Sequence, residues 1–122
     1  MATVTITVTV AGGKFVLNGV SQLAYSATPG NTYKFDQSEG TNAGHPLRLS
    51  ITSDGTHNSG SAYTTGVTTA GTPGSSGAYT QIEVTATTPQ TLYYYCTNHS
   101  GMGAAFNIGN ASTKNLKEIV TK

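Results

Sequence analysis

The chain has no tryptophan, a single cysteine, and charge on only 9% of its 122 residues. One cysteine, Cys96, excludes an internal disulfide. Sparse charge excludes a basic stripe for nucleic acid and an acidic cluster that would steer a basic partner. The body, residues 1–113, sets Lys14, Lys34 and Arg48 against Asp36, Glu39, Asp54 and Glu83; beyond it, Lys114, Lys117 and Lys122 face Glu118 alone. No apolar run is long enough to span a bilayer. The first residues, Thr3-Val4-Thr5-Ile6-Thr7-Val8, alternate polar and apolar, unlike the basic and then continuously apolar pattern of a secretory signal. That leaves open a mature periplasmic-type domain, a phage or virion protein, and a cytoplasmic protein. Phosphate loops, nucleophile elbows and carboxylates beside a candidate nucleophile are missing too, so the chain is expected not to be an enzyme.

Gly, Ser and Thr fill the space left by charge, and they favour short strands and turns. Val4, Ile6, Val8 and Val10 alternate with threonines, the pattern of a strand with one buried face. Further strands are expected at Phe15–Leu17, Leu23–Tyr25, Tyr33–Phe35, Leu47–Ile51, Tyr79–Thr85, Leu92–Cys96 and Ala104–Ile108. Gly, Pro and Asn punctuate them at Gly12-Gly13, Asn18-Gly19 and Pro29-Gly30. Residues 53–78 hold few apolar anchors and are expected to form a long loop with a short ordered stretch at Tyr63–Val67. The fold class predicted is all-β, an antiparallel sandwich of eight strands in one domain, residues 1–109. Residues 110–122 read as a tail with a short helix, since Ser112 or Thr113 can cap it and Leu116, Ile119 and Val120 fall at helical spacing.

The densest chemistry lies in Cys96-Thr97-Asn98-His99-Ser100-Gly101-Met102, between the last two expected strands. A thiolate, an imidazole and a thioether sit within one tight turn, so Cys96, His99 and Met102 can converge on one point. His45 opens an earlier strand and can reach the same end of the sandwich. One cysteine, two histidines and a methionine form the ligand set of a blue-copper site with a weak axial thioether. Taken singly, each has an ordinary explanation: Cys96 as a small buried hydrophobe, Met102 as core filler, His45 as a loop residue before Pro46. His57, in the long polar loop, reads as a solvated histidine. Arg48 and Lys34 read as surface charges.

The run Tyr93-Tyr94-Tyr95-Cys96-Thr97-Asn98-His99-Ser100-Gly101-Met102-Gly103, with His45 ahead of an earlier strand, resembles the cupredoxin family. Its short Cys-to-Met loop is most similar to that of amicyanin, with plastocyanin as a longer-looped cousin. The Gly/Thr-rich body bears a looser resemblance to plastocyanin-like domains of marine cyanophages. The resemblance covers residues 3–109 and implies a Greek-key sandwich. It implies one type 1 copper ion held by His45, Cys96, His99 and an axial Met102. It implies single-electron transfer to a redox partner protein, with His99 as the exit and Tyr95 as a second, lateral route. The chain departs from the family at two positions. Pro46 stands where plastocyanin-like proteins carry Asn, whose N–H bonds the cysteine sulfur; proline has no N–H. Asn98 stands where amicyanin-like loops carry Pro, and its N–H is free to donate. Two other functions fit the residues: a structural or interaction module, as in a phage virion, that keeps the metal as a staple, and copper storage or delivery. Neither the compartment nor the oligomeric state follows from these residues.

Overall fold

A computed structural model describes residues 2–109. The expected helix in residues 110–122 lies outside the described residues. The described chain is nearly all β, in ten strands: β1 (Thr3–Ala11), β2 (Lys14–Leu17), β3 (Val20–Ser21), β4 (Tyr25–Ala27), β5 (Thr32–Asp36), β6 (Leu47–Ser50), β7 (Val67–Ala70), β8 (Tyr79–Glu83), β9 (Thr91–Cys96) and β10 (Ala104–Ile108). They form a six-stranded sheet in the order β3-β2-β1-β5-β8-β7 and a four-stranded sheet in the order β4-β10-β9-β6. Among the described residues, no helix is long and apolar enough to cross a membrane.

Three details differ from the sequence reading. The strand expected at Leu23–Tyr25 begins only at Tyr25, as β4, and β3 ends before it in the other sheet. Gln22 between them has a positive φ of 46°, and that bend breaks the run. The loop 53–78 contains a strand, β7, whose threonines pair with β8 although only Val67 and Ala70 are shielded from solvent. The sheets are mixed rather than antiparallel, because β1 pairs in parallel with β5 and β10 with β4. After β3 and again after β4 the chain crosses between sheets, and such a crossover delivers strands in parallel.

The core follows from period-2 alternation. Ile6, Val8, Phe15, Leu17, Tyr33, Phe35 and Ile82 face inward from the larger sheet. Leu47, Leu49, Leu92, Tyr94, Phe106 and Ile108 face them from the smaller one. Phe106 joins the layers, with its ring centroid within 5.5–5.7 Å of those of Phe35, Tyr33 and Tyr25. Each such aromatic contributes roughly 1.5–3 kcal/mol by leaving water. Burial pushes the Tyr94 ionisation upward, so its hydroxyl stays a neutral donor to the Leu23 carbonyl at 2.8 Å.

The end of the sandwich that matters is where β6 starts, β9 stops and β10 begins. Leu47 pairs with Cys96 and Arg48 with Tyr95 in antiparallel register. The same register carried outward sets position 45 opposite position 98, and the Thr97 N–H donates to the Pro46 carbonyl at 3.1 Å. At the start of β10 only glycine fits, since a Cβ on Gly103 would run into the Tyr94 carbonyl. Gly103→Ala is expected to cost about 3 kcal/mol of stability. Denaturant unfolding checks this; a loss below about 0.5 kcal/mol would show that the strand junction can shift to make room.

Candidate metal centre

His45, Cys96 and His99 form one cluster, with a donor atom from each lying within 4.8 Å of the others. The Cys96 Sγ is 3.7 Å from His45 Nδ1 and 3.6 Å from His99 Nδ1. The two imidazole centroids are 4.7 Å apart, with ring planes inclined at 42°. An ion bonded to sulfur at about 2.3 Å and to nitrogen at about 2.0–2.1 Å separates those atoms by roughly 3.5 Å at a tetrahedral angle and roughly 3.8 Å at a trigonal one. The two observed separations fall between these limits. The residues therefore fit a single metal ion without rearrangement.

Burial is graded across the cluster: Cys96 is fully buried, His45 half-buried and His99 exposed. Burial first, and then the charge His99 can carry, hold His45 below the ordinary histidine value. Its ring thus favours the neutral form that ligates metals. Met102 is 1% exposed and belongs to the same buried cluster as Cys96.

Each residue is placed by its own local reason. Cys96 ends β9, and its β-sheet phase turns it inward with Leu92 and Tyr94. His99 lies in the turn that leads to β10, three residues on. His45 precedes Pro46, which biases it toward extended backbone and into β6. Its N–H donates to the Asn42 carbonyl at 2.8 Å, and its carbonyl accepts from Gln37 Nε2 at 2.7 Å. Gln37 Oε1 also accepts the Leu47 N–H at 2.9 Å, and Gln37 Nε2 reaches Asn42 Oδ1 at 3.1 Å. Asn42 in turn donates to the Val8 carbonyl at 2.7 Å. Gln37 and Asn42 are 1% and 0% exposed, so this network is buried and hydrogen-bonded.

Sequence reasoning missed Gln37 and Asn42, which look like any polar residues of a loop. Their one signal is position, ahead of a His-Pro pair that opens an apolar run. His57 is solvent-exposed, as read, but it also makes specific contacts. Its Nε2 lies 2.7 Å from the Cys96 carbonyl, and its ring meets Tyr95 edge-on with centroids 6.4 Å apart. Tyr95 is 1% exposed, so its ring does not reach the surface as a lateral route requires. It lies against Gly55, where an added Cβ would come within 2.5 Å of the ring. Arg48 folds back onto the Leu47 carbonyl and Thr80 rather than standing free, and Lys34 lies over the Tyr79 ring. The Asn98 side chain donates to the Gly44 carbonyl at 2.9 Å and so ties the two histidine-bearing loops together.

Comparison with protein-family models, with curated proteins and with solved structures finds no match to the chain.

The depressed His45 pKa fixes the sign of a pH effect. The unfolded chain takes up the proton near pH 6.5 and the folded one only at lower pH, so the unfolded state binds more protons between the two. The stability contributed by neutral His45 is therefore complete above about pH 6.5 and is lost as pH falls through the depressed value. Melting of metal-free protein between pH 7 and pH 5 is expected to show this decline, and His45→Gln to flatten it. Equal slopes in both proteins would remove His45 as the cause.

Proposed function

We propose that the chain is a one-electron carrier of the cupredoxin kind, in which His45, Cys96 and His99 would hold one copper ion and the Met102 thioether would serve as a fourth ligand. The observation that carries this reading is the pair of sulfur-to-nitrogen separations, 3.6 and 3.7 Å, around a buried thiol. Zinc accepts the same Cys/His2 set. The choice of copper rests on the fourth side chain, because a thioether is a soft ligand and suits copper. Bound copper supplies a reversible Cu(II)/Cu(I) couple at that point.

The side chains divide the remaining work. Burial of Cys96 keeps solvent from the sulfur, so oxidants in water do not reach it. The Gln37–Asn42 network and the β6–β9 pairing hold the donors, so a change of charge moves them little. The exposed edge of His99 is the exit by which an electron leaves for a redox partner protein. Four side chains would fill the coordination and leave no place for a substrate, which is why a carrier is proposed rather than an enzyme.

Addition of Cu(II) to metal-free protein is expected to give an intense thiolate-to-copper absorption band at one equivalent, absent in Cys96→Ser. A wild-type protein with no such band overturns the reading. Met102→Leu removes an electron donor that favours Cu(II). It is expected to keep the band while raising the reduction potential. An unchanged potential in redox titration would remove Met102 from the ligand set.

A further inference from the structure

The segment around Met102 is held from outside at four of its backbone groups. The Gly101 N–H donates to both carboxylate oxygens of Asp54, at 3.0 and 3.2 Å. The Gly101 carbonyl accepts from Lys14 Nζ at 2.8 Å and from Gln22 Nε2 at 3.2 Å. The Met102 carbonyl accepts the Phe15 N–H at 2.9 Å. The Gly103 carbonyl accepts from Gln22 Nε2 at 2.9 Å. Three consecutive carbonyls are thus bonded by β2 and the turn after β3, and a carboxylate closes the other side of Gly101.

Charge is used with the correct sign on both sides of Gly101, a carboxylate on its N–H and an ammonium on its C=O, which makes these its strongest bonds. Each bond lies near solvent, where a lone one contributes little. Here they converge on three residues. Two of the residues that supply them also hold uncommon backbone: Gln22 and Asp54 have φ of 46° and 61°. Non-glycine residues persist there when the surroundings over-determine them.

We propose that Lys14, Gln22 and Asp54 are positioning residues that fix the Gly101–Gly103 segment, and with it Met102, before any metal arrives. The clamp is a property of the folded chain; its effect on a copper ion rests on the function proposed above. A loop ordered only by its metal would spend binding free energy on ordering. A loop fixed in advance spends none, and it keeps the thioether in one place in both charge states.

The test begins with metal-free protein, read by amide hydrogen exchange at Gly101 and by the methyl resonance of Met102. Met1 is the one other methionine, which makes assignment simple. The Gly101 amide is expected to exchange roughly ten- to a hundredfold more slowly than an exposed loop amide, as a charge-assisted bond allows. Asp54→Gly, which suits the positive φ, is expected to abolish that protection. Lys14→Leu is expected to shift or broaden the Met102 methyl signal, and Lys14→Arg to restore it. In copper-loaded protein the same two disruptive variants are expected to change the copper hyperfine splitting and the reduction potential, again with rescue by Lys14→Arg. Fast Gly101 exchange in metal-free wild type overturns the proposal. So do variants whose Met102 methyl signal and potential match wild type, because the bonds would then serve only to close the sandwich. Slow exchange in a protein that gives no thiolate-to-copper band leaves the clamp standing and removes the copper reading instead.

Discussion

The pairing of β6 with β9, in the register that sets Leu47 against Cys96, is the constraint on which the rest of the site depends. His45 and Cys96 are 51 residues apart in sequence. No local preference can bring them together. The antiparallel ladder does so because its side-chain period is two: a slip of one residue would turn Cys96 away from the core and His45 away from Cys96. The core holds that register. Leu47, Leu49, Leu92 and Tyr94 face inward only in this alignment, and each is essentially removed from water. The stability of the sandwich is thus also the accuracy of the cluster.

A second layer of control is polar. Gln37 carries three hydrogen bonds at the mouth of β6, to Asn42, to the His45 carbonyl and from the Leu47 N–H. Asn42 anchors this group to β1 through the Val8 carbonyl. A buried amide left unpaired costs about 1–3 kcal/mol, so the network is stable only when complete. That gives the His45 loop one conformation, where a solvated loop of the same length would have many. The grading of exposure has a physical logic as well. A thiolate buried without a partner charge is expensive, and a cation between it and two neutral imidazoles offsets that expense. His99 is then the most exposed of the three groups.

Much of this was legible in the residues. Strict alternation marked β1 and β6, because a half-buried strand leaves a period of two, whereas β9 showed as an unbroken apolar and aromatic run. Cys96, His99 and Met102 were legible because they crowd one turn, and His45 because Pro46 and an apolar run follow it. What stayed hidden depends on partners that sequence spacing does not encode. β7 is rich in threonine and pairs with β8 while burying little, so it carries no apolar signal. The parallel pairings arise from crossovers between sheets, and a strand's pattern does not say which neighbour it will find. His57 and Tyr95 lie 38 positions apart and meet because Gly55 lets the 3-10 turn at Gly55–Asn58 lie flat on the ring. Gln37 and Asn42 read as loop residues because nothing in a glutamine or an asparagine announces burial.

The remaining choice is between a metal that serves the fold and a fold that serves the metal. A structural metal is needed where apolar burial is insufficient, as in domains too small to form a core. This chain has a continuous two-sheet core from Ile6 to Ile108, to which Cys96 and Met102 belong but most of whose members lie outside the cluster. The ligand turn is tied to β2, to the 53–58 loop and to Gly44 by protein groups alone. A staple placed there would join segments that are already joined. A buried sulfur with one exposed imidazole gains little as a staple, whereas it suits the carrier proposed above, whose donors would have to stay put when the charge changes. A storage or delivery site requires the opposite, donors loose enough to release their ion. The bracing of the turn weighs against that reading for the same reason that it favours a carrier.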